Sequence, residues 1–151
     1  MKKLFYLMVL ALMPMFFTAC SSDDEPTDVG SVETLYGTWQ QTSGYAIEDG
    51  EKHHEKSISA DDAEYLKFGT DGICLVRGGE RGHFDGDGFS SYPFNFDEEE
   101  KEVKIGYKTL TVEVLSGSTL RLKYYYNYSS NSEDGEVATY KKVSDKIWDN
   151  L

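Results

Sequence analysis

The residues of this chain with the makings of chemistry are few and scattered. Asp85-Gly86-Asp87-Gly88 begins as a calcium-binding loop begins, with alternating carboxylates. The pattern then requires an oxygen ligand where Phe89 stands, glycine at Ser90 and glutamate at Phe96, and it fails at all three. His53 and His54 are adjacent, so in an extended segment they face opposite ways and cannot share an ion; His83 stands alone. Acidic residues number 27, so carboxylate pairs for glycoside hydrolysis could be drawn between almost any two strands, which deprives each pair of meaning. There is no Gly-x-Ser-x-Gly elbow, no glycine-rich turn that leads into a helix and could cradle phosphate, and no metal-ligand spacing. No catalytic residue, metal or cofactor is expected, and the chain does not read as an enzyme.

The two cysteines differ in context. Cys74 lies between apolar neighbours in Gly-Ile-Cys-Leu-Val and reads as a small buried hydrophobe, since no cationic side chain stands near it in sequence to favour the thiolate. Cys20 follows a positive start at Lys2 and Lys3, an apolar run over 4–17 broken by Pro14, and the small pair Thr18-Ala19. Residues 1–19 therefore read as a signal peptide, too short to span a membrane. The junction resembles the bacterial lipobox, with Phe17 where leucine is usual, and the resemblance implies that Cys20 is lipidated and becomes the first mature residue. Each buried methylene of an acyl chain is worth ~0.8 kcal/mol, so several chains anchor the protein without its crossing the bilayer. Residues 20–34 read as a flexible acidic tether, and Ser21-Ser22-Asp23-Asp24-Glu25-Pro26 resembles the surface-export signal of Bacteroidetes lipoproteins. The expected location is the outer membrane, lipid-anchored and surface-exposed, with its periplasmic face as the alternative.

Composition bounds the folded part. Aromatic residues are 14%, with 11 Tyr and 8 Phe, and there are 14 Gly, a mixture of strand formers and turn formers that leans all-β. The net charge is -12, and without Lys2 and Lys3 the remainder carries -14. Such a surface repels phosphate backbones, so nucleic acid is excluded as a partner.

The elements that must position everything else are short strands with turns between them. A first strand is expected over 35–47, ended by Asp49-Gly50; strands over 65–69 and 73–78 flank Thr70-Asp71-Gly72; and a glycine-rich loop covers 78–90. Strands over 92–97 and 102–107 flank the charged turn 98–101, strands over 110–115 and 119–128 flank Ser116-Gly117-Ser118, and the last runs over 136–143. Residues 51–60 are too polar to assign, a helical turn is expected over 59–64, and helix also suits the tail 144–151. Tyr92, Phe94 and Phe96 alternate with polar residues, as do Val103, Ile105 and Tyr107, and Leu120, Leu122 and Tyr124. Eight antiparallel strands with one apolar face close as an up-and-down barrel or as a sandwich, and the barrel is the expectation. The domain spans 35–151 and is expected to be monomeric.

Here the chain resembles a known family. Gly37-Thr38-Trp39 is similar to the Gly-x-Trp of lipocalins, and Phe68-Gly69-Thr70-Asp71-Gly72 to the Phe-x-x-Asp-Gly hairpin of the small lipocalin-like lipoproteins of Bacteroidetes. The closing Tyr140-Lys141-Lys142-Val143 is similar to that family's last strand. A late arginine to stack on Trp39 is missing, with Arg121 and Lys142 as stand-ins, and so is a Thr-Asp-Tyr motif. The resemblance implies a binding module for a small hydrophobic ligand. Eight strands enclose just enough space for side chains or one small molecule, and the many large inward candidates point to a shallow mouth. Phe84 and Phe89 of the glycine-rich loop, with Tyr124 and Tyr126, are the residues expected to line it. The alternative is a filled barrel that acts as a structural, inhibitory or adhesive surface protein and binds a protein or glycan, for which Tyr125 and its neighbours offer a stacking surface.

Overall fold

The structure is a computed structural model that describes residues 29–79, 82–84, 88–127 and 131–151. The expected signal peptide, Cys20, most of the expected tether, Asp85 to Asp87 and Tyr128 lie outside the described residues. The chain forms a closed, antiparallel, up-and-down barrel of eight strands with one additional strand. A short helix α1 (Val32–Leu35) leads into β1 (Gly37–Glu48), β2 (Glu51–Ser57), β3 (Tyr65–Phe68), β4 (Ile73–Arg77) and β5 (Phe89–Asp97). Then come β6 (Glu102–Ile105), β7 (Lys108–Leu115), β8 (Thr119–Tyr125) and β9 (Gly135–Val143), followed by a 3-10 turn at Asp145–Asp149. The barrel closes where β1 pairs with β9, from Thr38 opposite Val143 to Ile47 opposite Gly135.

The turns form where the sequence supplies residues that accept a left-handed backbone. Asp49 (φ 54°) and Gly50 (φ 78°) make the first hairpin, and the Asp71 carboxylate accepts the Ile73 N–H at 3.1 Å beside Gly72 (φ 78°) in the second. Among the assignments that change are two in the polar stretch ahead of β3. Glu51–Ser57 is strand β2 although every residue is polar, because the Asp-Gly turn sets it against the far half of β1. Residues 60–62 form a turn with no helix, tied by Ser59 Oγ donating to Asp62 Oδ2 at 2.7 Å.

The fold also begins earlier than position 35. Val29 bridges to Leu115, the Gly30 N–H donates to the Leu115 carbonyl at 2.9 Å, and Leu35 closes α1 inside the core. Residues 29–34 therefore belong to the domain and not to the tether. Glu98, in the charged turn 98–101, accepts the Val32 N–H at 2.9 Å and holds the start of α1.

One end of the barrel is closed by Trp39, which is fully buried. Its Nε1–H donates to the Leu35 carbonyl at 2.7 Å, and Lys142, its partner across β1 and β9, lays its ammonium 5.0 Å from the ring centroid. Lys142 then donates to the Thr34 carbonyl at 2.9 Å. Gly37 makes room for this: with φ +110° and no side chain, it lets the Lys142 stem pass where a Cβ would stand 3.1 Å from Cε. Lys142 is thus the cation on Trp39 that the sequence lacks as an arginine. Leu66, Phe68, Ile105, Leu110 and Leu122 fill the barrel behind Trp39, with Phe68 edge-on to Phe94 at 5.0 Å. Tyr107 departs from the expected alternation. The chain turns at Gly106 (φ 59°) and leaves Tyr107 76% exposed instead of inward. Lys123, expected on the wet face, is buried beneath Tyr125, with its ammonium 4.3 Å from that ring and 3.4 Å from Glu133.

Candidate functional site

The opposite end, the mouth, holds a cluster of buried polar groups. Glu64 is fully buried just ahead of β3. One carboxylate oxygen accepts from the Tyr140 hydroxyl and the other from the Phe84 N–H, both at 2.6 Å. Gln41 of β1 clamps the Glu64 backbone, its Oε1 accepting the Glu64 N–H at 3.1 Å and its own N–H donating to the Glu64 carbonyl at 2.9 Å. Burial raises the Glu64 carboxyl to about 7, against the pull of the Tyr140 and Phe84 hydrogen bonds and of Lys108.

Residues 82–84 fold into this mouth. His83 is buried; its Nε2 lies 3.2 Å from the Leu122 carbonyl, which can only accept, so Nε2 carries the proton and Nδ1 is the bare acceptor. Burial lowers the imidazole to about 4. Phe84 is also buried, stacked on Tyr92 with ring centroids 5.6 Å apart and planes 27° apart. Lys108, at the start of β7, donates to the His83 carbonyl and places its ammonium 5.0 Å from the Tyr124 ring. The glycines of this loop allow backbone to lie against backbone. A Cβ on Gly79 would stand 2.2 Å from the Glu64 nitrogen, and one on Gly82 would stand 2.4 Å from Glu64 Oε2.

Of the four residues expected to line a ligand mouth, Phe84 and Tyr124 meet at the Lys108 ammonium, which lies 5.4 and 5.0 Å from their ring centroids, while Phe89 stands apart. Phe84 is a core contact, and Tyr124 packs partly buried beside Lys108. Tyr126 is half-buried at the end of β8, its N–H donating to the Asp134 carbonyl at 3.0 Å. Phe89 stands on the outer wall, 57% exposed, with its ring 5.8 Å from Trp148. The two phenylalanines therefore do not line one opening together. Of the family-like positions, Gly37, Trp39 and Phe68 sit at the closed end and in the core, while Asp71 and Gly72 form the hairpin turn.

The outer wall carries a second feature that the sequence did not suggest. The 3-10 turn crosses β1 and β3, tied by Trp148 Nε1–H to Thr38 Oγ1 at 3.0 Å, by Thr38 Oγ1–H to Asp145 at 2.6 Å, and by Lys67 to Asp145 at 3.6 Å. Between Trp148 and β5 it leaves a groove of about 240 Å³ lined by Leu75, Phe89, Ser90, Ser91 and Trp148. Elsewhere, Cys74 is buried and its thiol is pushed far up by burial, so it stays protonated. His53 and His54 lie on β2 with ring centroids 6.2 Å apart, and no group of three or more metal-ligating side chains is assembled among the described residues. No protein-family model and no curated protein matches this chain.

Proposed function

We propose that the chain is a lipid-anchored, lipocalin-like display module of the outer membrane, without enzymatic activity, that binds a protein or glycan partner on the outside of a filled barrel. One contrast carries this reading: core side chains fill the barrel and Phe84 fills its mouth, while the groove between Phe89 and Trp148 stands open on the outer wall. Two rings, a leucine and two serines around a space of this size suit one ring-shaped group, a sugar unit or a partner's side chain. A small hydrophobic ligand at the mouth, the other reading of the sequence, has less support because His83 and Phe84 occupy that place.

The path of the chain supports display. Val29 lies at the Trp39 end, and residues 20–28 can reach at most about 30 Å when extended. With Cys20 in the membrane, the closed end would face the lipid, and the mouth and the β1–β2 hairpin would point away. Cys20→Ser is expected to abolish incorporation of a fatty-acid analogue and to release the protein from the membrane; undiminished label would sink the anchor. For the groove, Phe89→Ser should reduce binding to surface glycans on an array, or to a cross-linked surface protein, at least tenfold with the melting temperature unchanged. Equal binding by the variant would remove the groove from the interface.

A further inference from the structure

What closes the mouth is a piece of main chain. The peptide group between His83 and Phe84 is held on both sides by barrel side chains: its N–H donates to Glu64 Oε2 at 2.6 Å, and its carbonyl accepts from Lys108 Nζ. The aromatic side chain beside it rests on Tyr92, 5.6 Å away, with the Lys108 ammonium 5.4 Å from its centroid. Tyr140 supports Glu64 from β9. Groups from β5, β7, β9 and the segment before β3 thus converge on one peptide unit and one ring. An apolar stopper would close a barrel without burying a carboxyl group, so this expenditure points to recognition.

The occupant is also imperfect. His83 satisfies Nε2 on the Leu122 carbonyl, but its Nδ1, on a residue only 2% exposed, has no hydrogen-bond partner among the described residues. Another occupant need not strand an acceptor. We propose that the mouth is a binding site for an aromatic residue carried on a peptide, and that His83–Phe84 is an internal stand-in which such a ligand displaces. The ligand supplies an acyl carbonyl for Lys108, an amide N–H for Glu64 and an aryl ring for Tyr92. A loop or chain end of another protein has this chemistry. The site is separate from the outer-wall groove and does not depend on it.

The test uses the full-length protein in detergent, with acetyl-glycyl-phenylalaninamide as probe; it offers the same carbonyl, N–H and ring without the imidazole. Hydrogen exchange at the Phe84 amide reports whether the internal segment is seated. The probe is expected to bind saturably and to speed that exchange at least tenfold, while acetyl-glycyl-alaninamide leaves it unchanged. Gly82→Ala pushes a methyl group onto Glu64 and weakens the internal competitor, so it should bind the probe at least tenfold more tightly than the unsubstituted protein, and more tightly than it binds toluene. Selective uptake by either protein supports the site. If neither takes up the probe, or if toluene binds as well as the peptide does, His83–Phe84 is an ordinary core contact and the proposal fails. Should Gly82→Ala not fold, exchange in the unsubstituted protein decides alone.

Discussion

Replacing Trp39 by alanine is expected to lower the unfolding free energy by ~3 to 5 kcal/mol, the range for truncating a large buried aromatic. The ring is fully buried and closes its end of the barrel, so little can collapse into the space it leaves. The substitution also removes the donor on the Leu35 carbonyl and the surface under Lys142. Trp39→Phe separates the two contributions: it keeps most of the apolar body, loses the indole N–H, and should cost ~1 to 3 kcal/mol, the value of a stranded buried acceptor. Denaturant melts measure both. A loss below ~1 kcal/mol for Trp39→Ala, typical of surface positions, would show the ring to be peripheral.

The second large effect lies in pH dependence, where two buried groups oppose each other. Folding raises Glu64 from 4.5 to about 7, so the folded state holds a proton that the unfolded chain has already lost, and this group's stabilisation falls as pH rises from 4.5 through 7. Folding lowers His83 from 6.5 to about 4, so the unfolded chain holds the extra proton, and its contribution rises as pH climbs from 4 to 6.5. At ~1.4 kcal/mol per unit, each effect is worth about 3 kcal/mol, and between pH 4.5 and 6.5 they nearly cancel. Among the described residues the other charged or titratable groups facing the pair are Lys108, Tyr140 and Cys74, and burial pushes the Tyr140 hydroxyl and the Cys74 thiol up, so both stay neutral in this window. Glu64→Gln should therefore gain stability relative to the unsubstituted protein as pH rises from 4.5 to 7. His83→Gln should lose it relatively from pH 4 to 6.5. Urea midpoints at half-unit pH steps give both differences, and parallel curves for all three proteins would show that the pair does not titrate as a buried unit.

How much of this was legible in the sequence follows from where each signal resides. Turns and side-chain periods are local, so Asp49-Gly50, Asp71-Gly72 and the alternation of Phe94 and Phe96 with Asn95 and Asp97 announce a meander before any contact is known. Strand β2 was not legible, because Glu51–Ser57 has no apolar period and is held only by its register on β1. Tyr107 was misplaced because a single left-handed glycine resets the alternation. The mouth cluster was the least legible part. Gln41, Glu64, His83, Lys108 and Tyr140 are far apart in the chain, and each reads alone as an ordinary polar strand or loop residue. The paired glycines at 78–79 and the glycine before His83 were the available hint, since they mark close approach of backbone as well as flexibility.

The seam between β1 and β9 sets an order of events in time. A ribosome releases Gly37–Glu48 long before Gly135–Val143, and for that whole interval one long edge of β1 has no neighbour. Loop closure across the full domain must be achieved before the seam rewards it, which places ring formation last and makes it slow compared with the local hairpins. A nascent chain is therefore an open sheet with a bare edge, able to template onto its like. Loss of the final strand by truncation leaves it in that state permanently, so the nine residues of β9 govern its solubility as well as its shape.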